Sequence, residues 1–157
     1  MKKLALAAIL AASVAACGSS SDDDGVSGGD YSREFESGDT SAAVTAGGDI
    51  QVELPNGFET YPGSKVITTM TVNNPAVRGR TVMMETADGI QDVADFYKGQ
   101  AKDAGIAINM ETASSDAMML VGQVEGEGGF NMVATRTDEG KTTIQLTVSE
   151  AGDDTAS

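Results

Sequence analysis

The sequence predicts an α+β domain: an antiparallel sheet of about six to seven strands in the order β-β-β-α-β-β-β-β, with one amphipathic helix packed on one face. Three observations carry that expectation. From Ile50 onward, short runs alternate apolar and polar residues, the two-residue period of half-buried strands. Between 88 and 104 the period lengthens to that of a helix. Clusters of Gly, Asn, Asp and Pro separate the runs at hairpin distances, so successive strands should pair antiparallel, and one helix then covers one face of the sheet.

Ile50, Val52 and Leu54 fall on one side of a first strand that Pro55-Asn56-Gly57 ends. Tyr61-Pro62-Gly63-Ser64 reads as a type II turn with Pro and Gly at its centre. Residues 65–72 form a second strand with Val66, Met70 and Val72 on one side, and Asn73-Asn74-Pro75 marks a loop. Residues 80–86 form a third, with Val82 and Met84 on one face and Met83 on the other. Ile90, Val93, Ala94, Tyr97, Ala101 and Ala104 then recur at helical spacing. Asp88 is placed as N-cap, with Gln91 completing a capping box. Asp92 and Asp95 sit near the positive end of the helix dipole, Lys98 and Lys102 toward the negative end. Gly105 suits the left-handed position that stops a helix. Four strands close the domain: Ile106, Ile108 and Met110; Met118, Leu120 and Val124 with Met119 and Val121 on the reverse; Phe130, Met132 and Ala134; Ile144, Leu146 and Val148. Residues 125–129 and 138–140 supply hairpin turns. The globular domain is therefore expected over 50–150, and 151–157 as a frayed tail.

The chain ahead of the domain is different material. Lys2 and Lys3 precede an apolar run over 4–16, interrupted only by Ser13. That run is short of the roughly 20 residues a spanning helix needs, and residues 1–16 read as a signal peptide. It ends in Val14-Ala15-Ala16-Cys17, followed by Gly18. These residues resemble the lipobox of bacterial lipoproteins. The resemblance implies that Cys17 becomes the mature N-terminus, with diacylglycerol on its sulfur and a further acyl chain on its amine. It implies a protein of the bacterial cell envelope that meets the membrane through lipidated Cys17. Gly18 and Ser19, where such proteins carry Asp when retained at the inner membrane, point to the outer membrane and a domain facing the periplasm. Each buried CH₂ contributes about 0.8 kcal/mol, so several chains anchor stably.

Residues 17–49 are expected to be this lipidated Cys and a disordered tether. Of the 32 residues over 18–49, 20 are Gly, Ser or Asp, and eight acids face Arg33 alone. Such a composition buries too little apolar surface to offset ordering entropy. Its root-mean-square reach is roughly 30 Å. Asp22-Asp23-Asp24-Gly25 lacks the alternating ligands of an EF-hand loop. Tyr31 and Phe35, the only aromatics of the segment, are either a docking motif or a chance pair.

Tyr61-Pro62-Gly63-Ser64, Thr86-Ala87-Asp88, Val93-Ala94-Asp95-Phe96-Tyr97-Lys98 and Ala104-Gly105 together resemble small envelope-lipoprotein domains of unknown function. The resemblance spans about 100 residues and implies a fold and a compartment, not a reaction.

Composition excludes several chemistries. With 24 acidic against 10 basic residues the formal net charge is −14, which speaks against nucleic-acid binding. One Cys makes no internal disulfide, and without His there is no histidine general base. A Cys/His zinc site lacks ligands, and phosphate-loop, dinucleotide and nucleophile-elbow motifs do not occur. The carboxylate pairs Glu85/Asp88 and Glu125/Glu127 lie at turns and a helix start, where acids serve local purposes. Ser64 and Lys65, as neighbours in extended chain, point apart. Seven methionines follow Met1: Met70, Met83, Met84, Met110, Met118, Met119 and Met132. Thioethers are soft ligands for Cu(I), but alternation beside Val, Leu and Ile reads as core packing, with Met83 and Met119 left for a second, softer face.

No catalytic residue, metal site or cofactor is therefore expected. The sequence supports a lipid-anchored envelope protein whose domain is a non-catalytic binding or accessory module with a possible envelope protein as partner. The alternatives are a small-ligand or metal carrier using the Met-lined face and a carboxylate-based hydrolase.

Overall fold

The computed structural model describes residues 30–47, 50–124 and 128–152. Eight strands form one antiparallel sheet: β1 (Tyr31–Ser37), β2 (Thr40–Ala46), β3 (Lys65–Asn73), β4 (Val77–Thr86), β5 (Ala107–Ala113), β6 (Ala117–Val124), β7 (Gly128–Arg136) and β8 (Thr142–Ala151). Among the described residues the single α-helix, α1 (Ile90–Asp103), joins β4 to β5. The sheet order is β1-β2-β3-β4-β8-β7-β6-β5. The chain runs out along one meander, crosses by α1 to the far edge, and returns by a second meander until β8 pairs with β4. The α+β class and the single helix stand, with eight strands in place of six to seven.

The added strands correct the expected tether. Residues 31–46, read as disordered, form the β1–β2 hairpin, and β2 pairs with β3. Its turn is Gly38-Asp39, with Gly38 at φ 61°, the glycine-first pattern of a two-residue type II′ turn. Local composition opposed order, but six register pairs to β3 supply the backbone partners that an isolated hairpin lacks. The sheet thus includes residues ahead of the expected boundary at Ile50. Residues 1–29, over which a signal peptide, a lipidated Cys17 and part of the tether are expected, lie outside the described residues, as do 48–49, 125–127 and 153–157.

Residues 50–54 are not a strand. The segment crosses the inner face of the sheet, where Val52 and Leu54 pack against the core. A 3-10 turn at Pro55–Gly57 follows, and Asn56 Nδ2 donates to Ser149 O at 3.0 Å. Arg80 Nη1 donates to Glu53 O at 2.5 Å. Phe58 and Tyr61 then enter the core. The type II turn forms as expected: Ser64 N–H donates to Tyr61 O at 3.1 Å, and Gly63 has φ 73°.

Two β-bulges correct the face assignments. One lies between Val66 and Thr68, so Val66 faces the core while Met70 and Val72 face away. The other lies between Ile108 and Met110 and turns Met110 outward, 52 % exposed. Alternation counted through a bulge assigns the wrong face, because the inserted residue shifts the period by one.

At the start of α1, Gly89 is the N-cap and makes no side-chain cap bond. Asp88 is occupied elsewhere: its carboxylate accepts from the Tyr61 hydroxyl at 2.9 Å, and its carbonyl accepts from Thr142 Oγ1 at 2.7 Å. Gln91 donates to Asp95 at 3.0 Å in place of closing a capping box. The other end matches expectation. Ile106 N–H donates to Ala101 O and Gly105 N–H to Lys102 O, with Gly105 at φ 72°, which is a Schellman motif.

The core lies between the inner sheet face and α1 with the 52–61 segment. Val82, Met84, Leu120, Met132, Ile144, Leu146 and Val148 from the strands meet Val93, Ala94, Tyr97 and Ala101 from the helix. Gly122 has a packing reason: a Cβ there would stand 2.5 Å from Phe130 Cε1 and 2.7 Å from Ile106 Cγ2. The Phe130 ring, stacked on Phe58 at 5.2 Å, occupies the space a side chain would take.

Candidate functional site

The two faces of the sheet place the candidate residues. The inner face is filled, and among the described residues its one unsatisfied buried side-chain polar atom is the Tyr97 hydroxyl. That side chain is 0 % exposed, and its hydroxyl faces the Tyr61 backbone without a well-formed hydrogen bond to any described residue. Burial pushes its pKa well up, so the phenol stays neutral. Tyr61 is raised to about 12, first by burial and then by the hydrogen bond its hydroxyl gives Asp88. Tyr61, Phe96 and Tyr97 stack edge-to-face in sequence at 5.3 and 5.1 Å. These groups tie the turn, the helix start and β8 together.

Among the described residues the outer face carries no helix. Register and alternation put Tyr31, Arg33 and Phe35 of β1 there, beside Val44, then Met70 and Val72, then Thr81 and Met83. Farther along come Gln145 and Thr147 of β8, Asn131 and Val133 of β7, Met119 and Val121 of β6, and Met110 of β5. Among the described residues one acidic side chain, Glu85, occupies a strand position on this face. It is paired with Lys141 at 2.7 Å, and that bond raises the lysine pKa. In a chain of net charge −14, a nearly uncharged open sheet face is a departure from composition.

Over β5 to β8 this face sinks into an open trough of about 810 Å³. Asn109, Gln123 and Asn131 line it with carboxamides, and Thr147 and Ser149 with hydroxyls. Gly129 forms part of the floor; a Cβ there would stand 2.5 Å from Gly122 O. A carboxamide offers both donors and an acceptor, so the trough can hold an uncharged, hydrogen-bonding ligand in a fixed orientation.

Among the described residues, those singled out in the sequence do not come together in one site. Glu85 is engaged by Lys141 and Asp88 by Tyr61, in separate networks. Glu125 and Glu127 lie outside the described residues. Ser64 Oγ donates to Tyr61 O at 2.6 Å and faces the Met84 sulfur at 3.5 Å, while Lys65 is exposed. Met84, Met118 and Met132 are core residues. Met70 and Met83 share the outer face on neighbouring strands, as do Met110 and Met119, but β8 and β7 separate the two pairs. Among the described residues no group of three or more His, Cys, Asp or Glu could hold a metal ion. The trough was missed in the sequence. Part of its signal was there: Asn131 and Thr147 are strand residues whose neighbours, Phe130 and Met132, Leu146 and Val148, point into the core.

No characterised protein and no solved structure matches the chain. A family model does, over residues 66–154, from the second residue of β3 past the end of β8 and covering more than half of the chain. The β1–β2 hairpin lies outside the matched region. By that match the chain belongs to the START domain-like family.

Proposed function

We propose that this is a lipid-anchored protein of the bacterial cell envelope, held at the outer membrane through Cys17, whose domain works by binding and not by turnover. The observation that carries the reading is a hydrogen-bonding trough, uncharged among its described lining residues, on a sheet face that no described element covers, opposite a packed inner face. Membership of a START domain-like family supports a small ligand-binding domain. The Val14-Ala15-Ala16-Cys17 junction supports the anchor. Turnover would call for titratable groups converging in a cleft, and the trough is lined by amides and hydroxyls.

Two measurements test the two halves. Mass spectrometry of the mature N-terminus should find acylated Cys17; an unmodified or differently cleaved terminus overturns the anchor. Uncharged small-molecule fractions from the envelope should raise the melting temperature of residues 17–157, since a ligand at 100 times its Kd stabilises by about 2.7 kcal/mol. Asn131→Leu should remove that rise without changing the unliganded melting temperature by more than a degree or two. A rise that survives the substitution moves the site elsewhere.

A further inference from the structure

The trough does not use the other end of the outer face, where three side chains of β1 stand out. Tyr31 is 46 % and Phe35 52 % exposed, on an edge strand in an otherwise acidic region. Arg33 lies between them on the same face, its guanidinium 5.8 Å from the Tyr31 ring centre and 5.9 Å from that of Phe35. Val44 beside Arg33, and Met70 beside Val44, continue the patch. Glu34 and Glu36 fall on the opposite face of the strand. The strand therefore sorts aromatic and cationic side chains to one side and carboxylates to the other.

We propose that this end of the face rests on the headgroup layer of the membrane that holds Cys17, with Tyr31 and Phe35 at the acyl boundary and Arg33 among the phosphates. The proposal rests on the anchor reading above and adds an orientation to it. Three arguments select a lipid surface as the occupant. Aromatic rings flanking a cation suit the interface, where rings sit at headgroup depth and phosphates are near. Distance is the second: Tyr31 lies fourteen positions beyond Cys17, a span of at most about 50 Å. A tethered patch sees the bilayer at an effective concentration on the order of millimolar, so intrinsically weak docking suffices. Thirdly, among the described residues no strand pairs with the outer edge of β1, whose backbone needs hydrogen-bond partners that water and headgroups supply and hydrocarbon does not. Sheet twist, about 20° per strand pair over seven pairs, turns the trough end of the face away from the docked end.

The chain has no Trp and one Cys, which makes the test direct. Residues 17–157 hold the whole described fold. With Phe35→Trp, this chain is coupled through the Cys17 thiol to maleimide-bearing vesicles of phosphatidylethanolamine and phosphatidylglycerol. Docking predicts a blue-shifted emission and quenching by brominated lipid at least threefold stronger than for Met110→Trp, a control at the opposite edge of the same face. Adding Arg33→Glu should reduce the quenching by half or more. Emission from Phe35→Trp that stays solvent-like on the vesicles overturns the proposal. A blue shift that grows with protein concentration without vesicles also overturns it, and assigns the patch to a second copy of the chain. Coupling supplies the tether whether or not cells acylate Cys17, so this result and the N-terminal mass are independent.

Discussion

The two faces of one sheet share strands, backbone and composition, yet they do different work. The inner face packs Leu, Val, Ile and Met against α1 and also carries most of the sheet's charges at its ends, including Arg78, Arg80, Glu111 and Glu150. The outer face is open, nearly uncharged and lined by Thr, Asn, Gln and Met. Surface charge normally keeps an open sheet solvated and apart from neighbours. Its scarcity among the described residues of one face, in a chain of net charge −14, supports the proposal that this face is the one that binds.

The largest expected effects come from breaking the packed face. Val93→Asp buries an unpaired charge at a 0 % exposed position and should cost several kcal/mol, enough to unfold the domain. Val133→Asp, on the outer face of β7, should cost about 1 kcal/mol or less by chemical denaturation. Comparable losses from the two would erase the distinction. Next is Gly122→Ala, whose added methyl meets the Phe130 ring and should cost about 1–3 kcal/mol. Thr142→Val removes the 2.7 Å hydrogen bond to the Asp88 carbonyl and should cost about 1–2 kcal/mol. Tyr97→Phe deletes a hydroxyl without a well-formed partner and should leave stability unchanged or raise it by up to about 1 kcal/mol.

The tyrosines also set a pH window. Both pKa values are raised on folding, so the folded chain holds protons that the unfolded chain releases above about pH 10. Stability from Tyr61 is complete below pH 10 and falls as pH rises toward about 12. Denaturation midpoints should therefore decline over that interval, and less steeply in Tyr61→Phe. A flat profile would show that Tyr61 is neither buried nor held against Asp88.

Helix, turn and most strands were legible because their signals are local. Helical spacing from Ile90 to Ala101, the glycine stop at Gly105 and the Pro-Gly turn at 62–63 each need only near neighbours. What escaped depended on distant partners. The β1–β2 hairpin looks like a tether by composition, and only β3 makes it a sheet edge, although Gly38-Asp39 was a readable turn signal. Bulges at Ile67 and Asn109 reversed the faces of Met70 and Met110, and single-strand alternation does not mark a bulge. Asp88 was drawn from the cap by Tyr61, 27 residues away. The trough gathers residues from four strands, and which strands are neighbours was not readable before the order β8-β7-β6-β5 was known.

The central claim is that the outer face binds while the inner face only holds the fold. Amide chemical-shift mapping tests it most directly, with isotope-labelled residues 17–157 titrated against neutral mono- and disaccharides and small amides. The account predicts shifts gathered on Asn109, Gln123, Asn131 and Thr147, with the helix–sheet interface silent. Shifts confined to the surroundings of Tyr61 and Tyr97, between α1 and the sheet, would contradict it and move the binding site into the core.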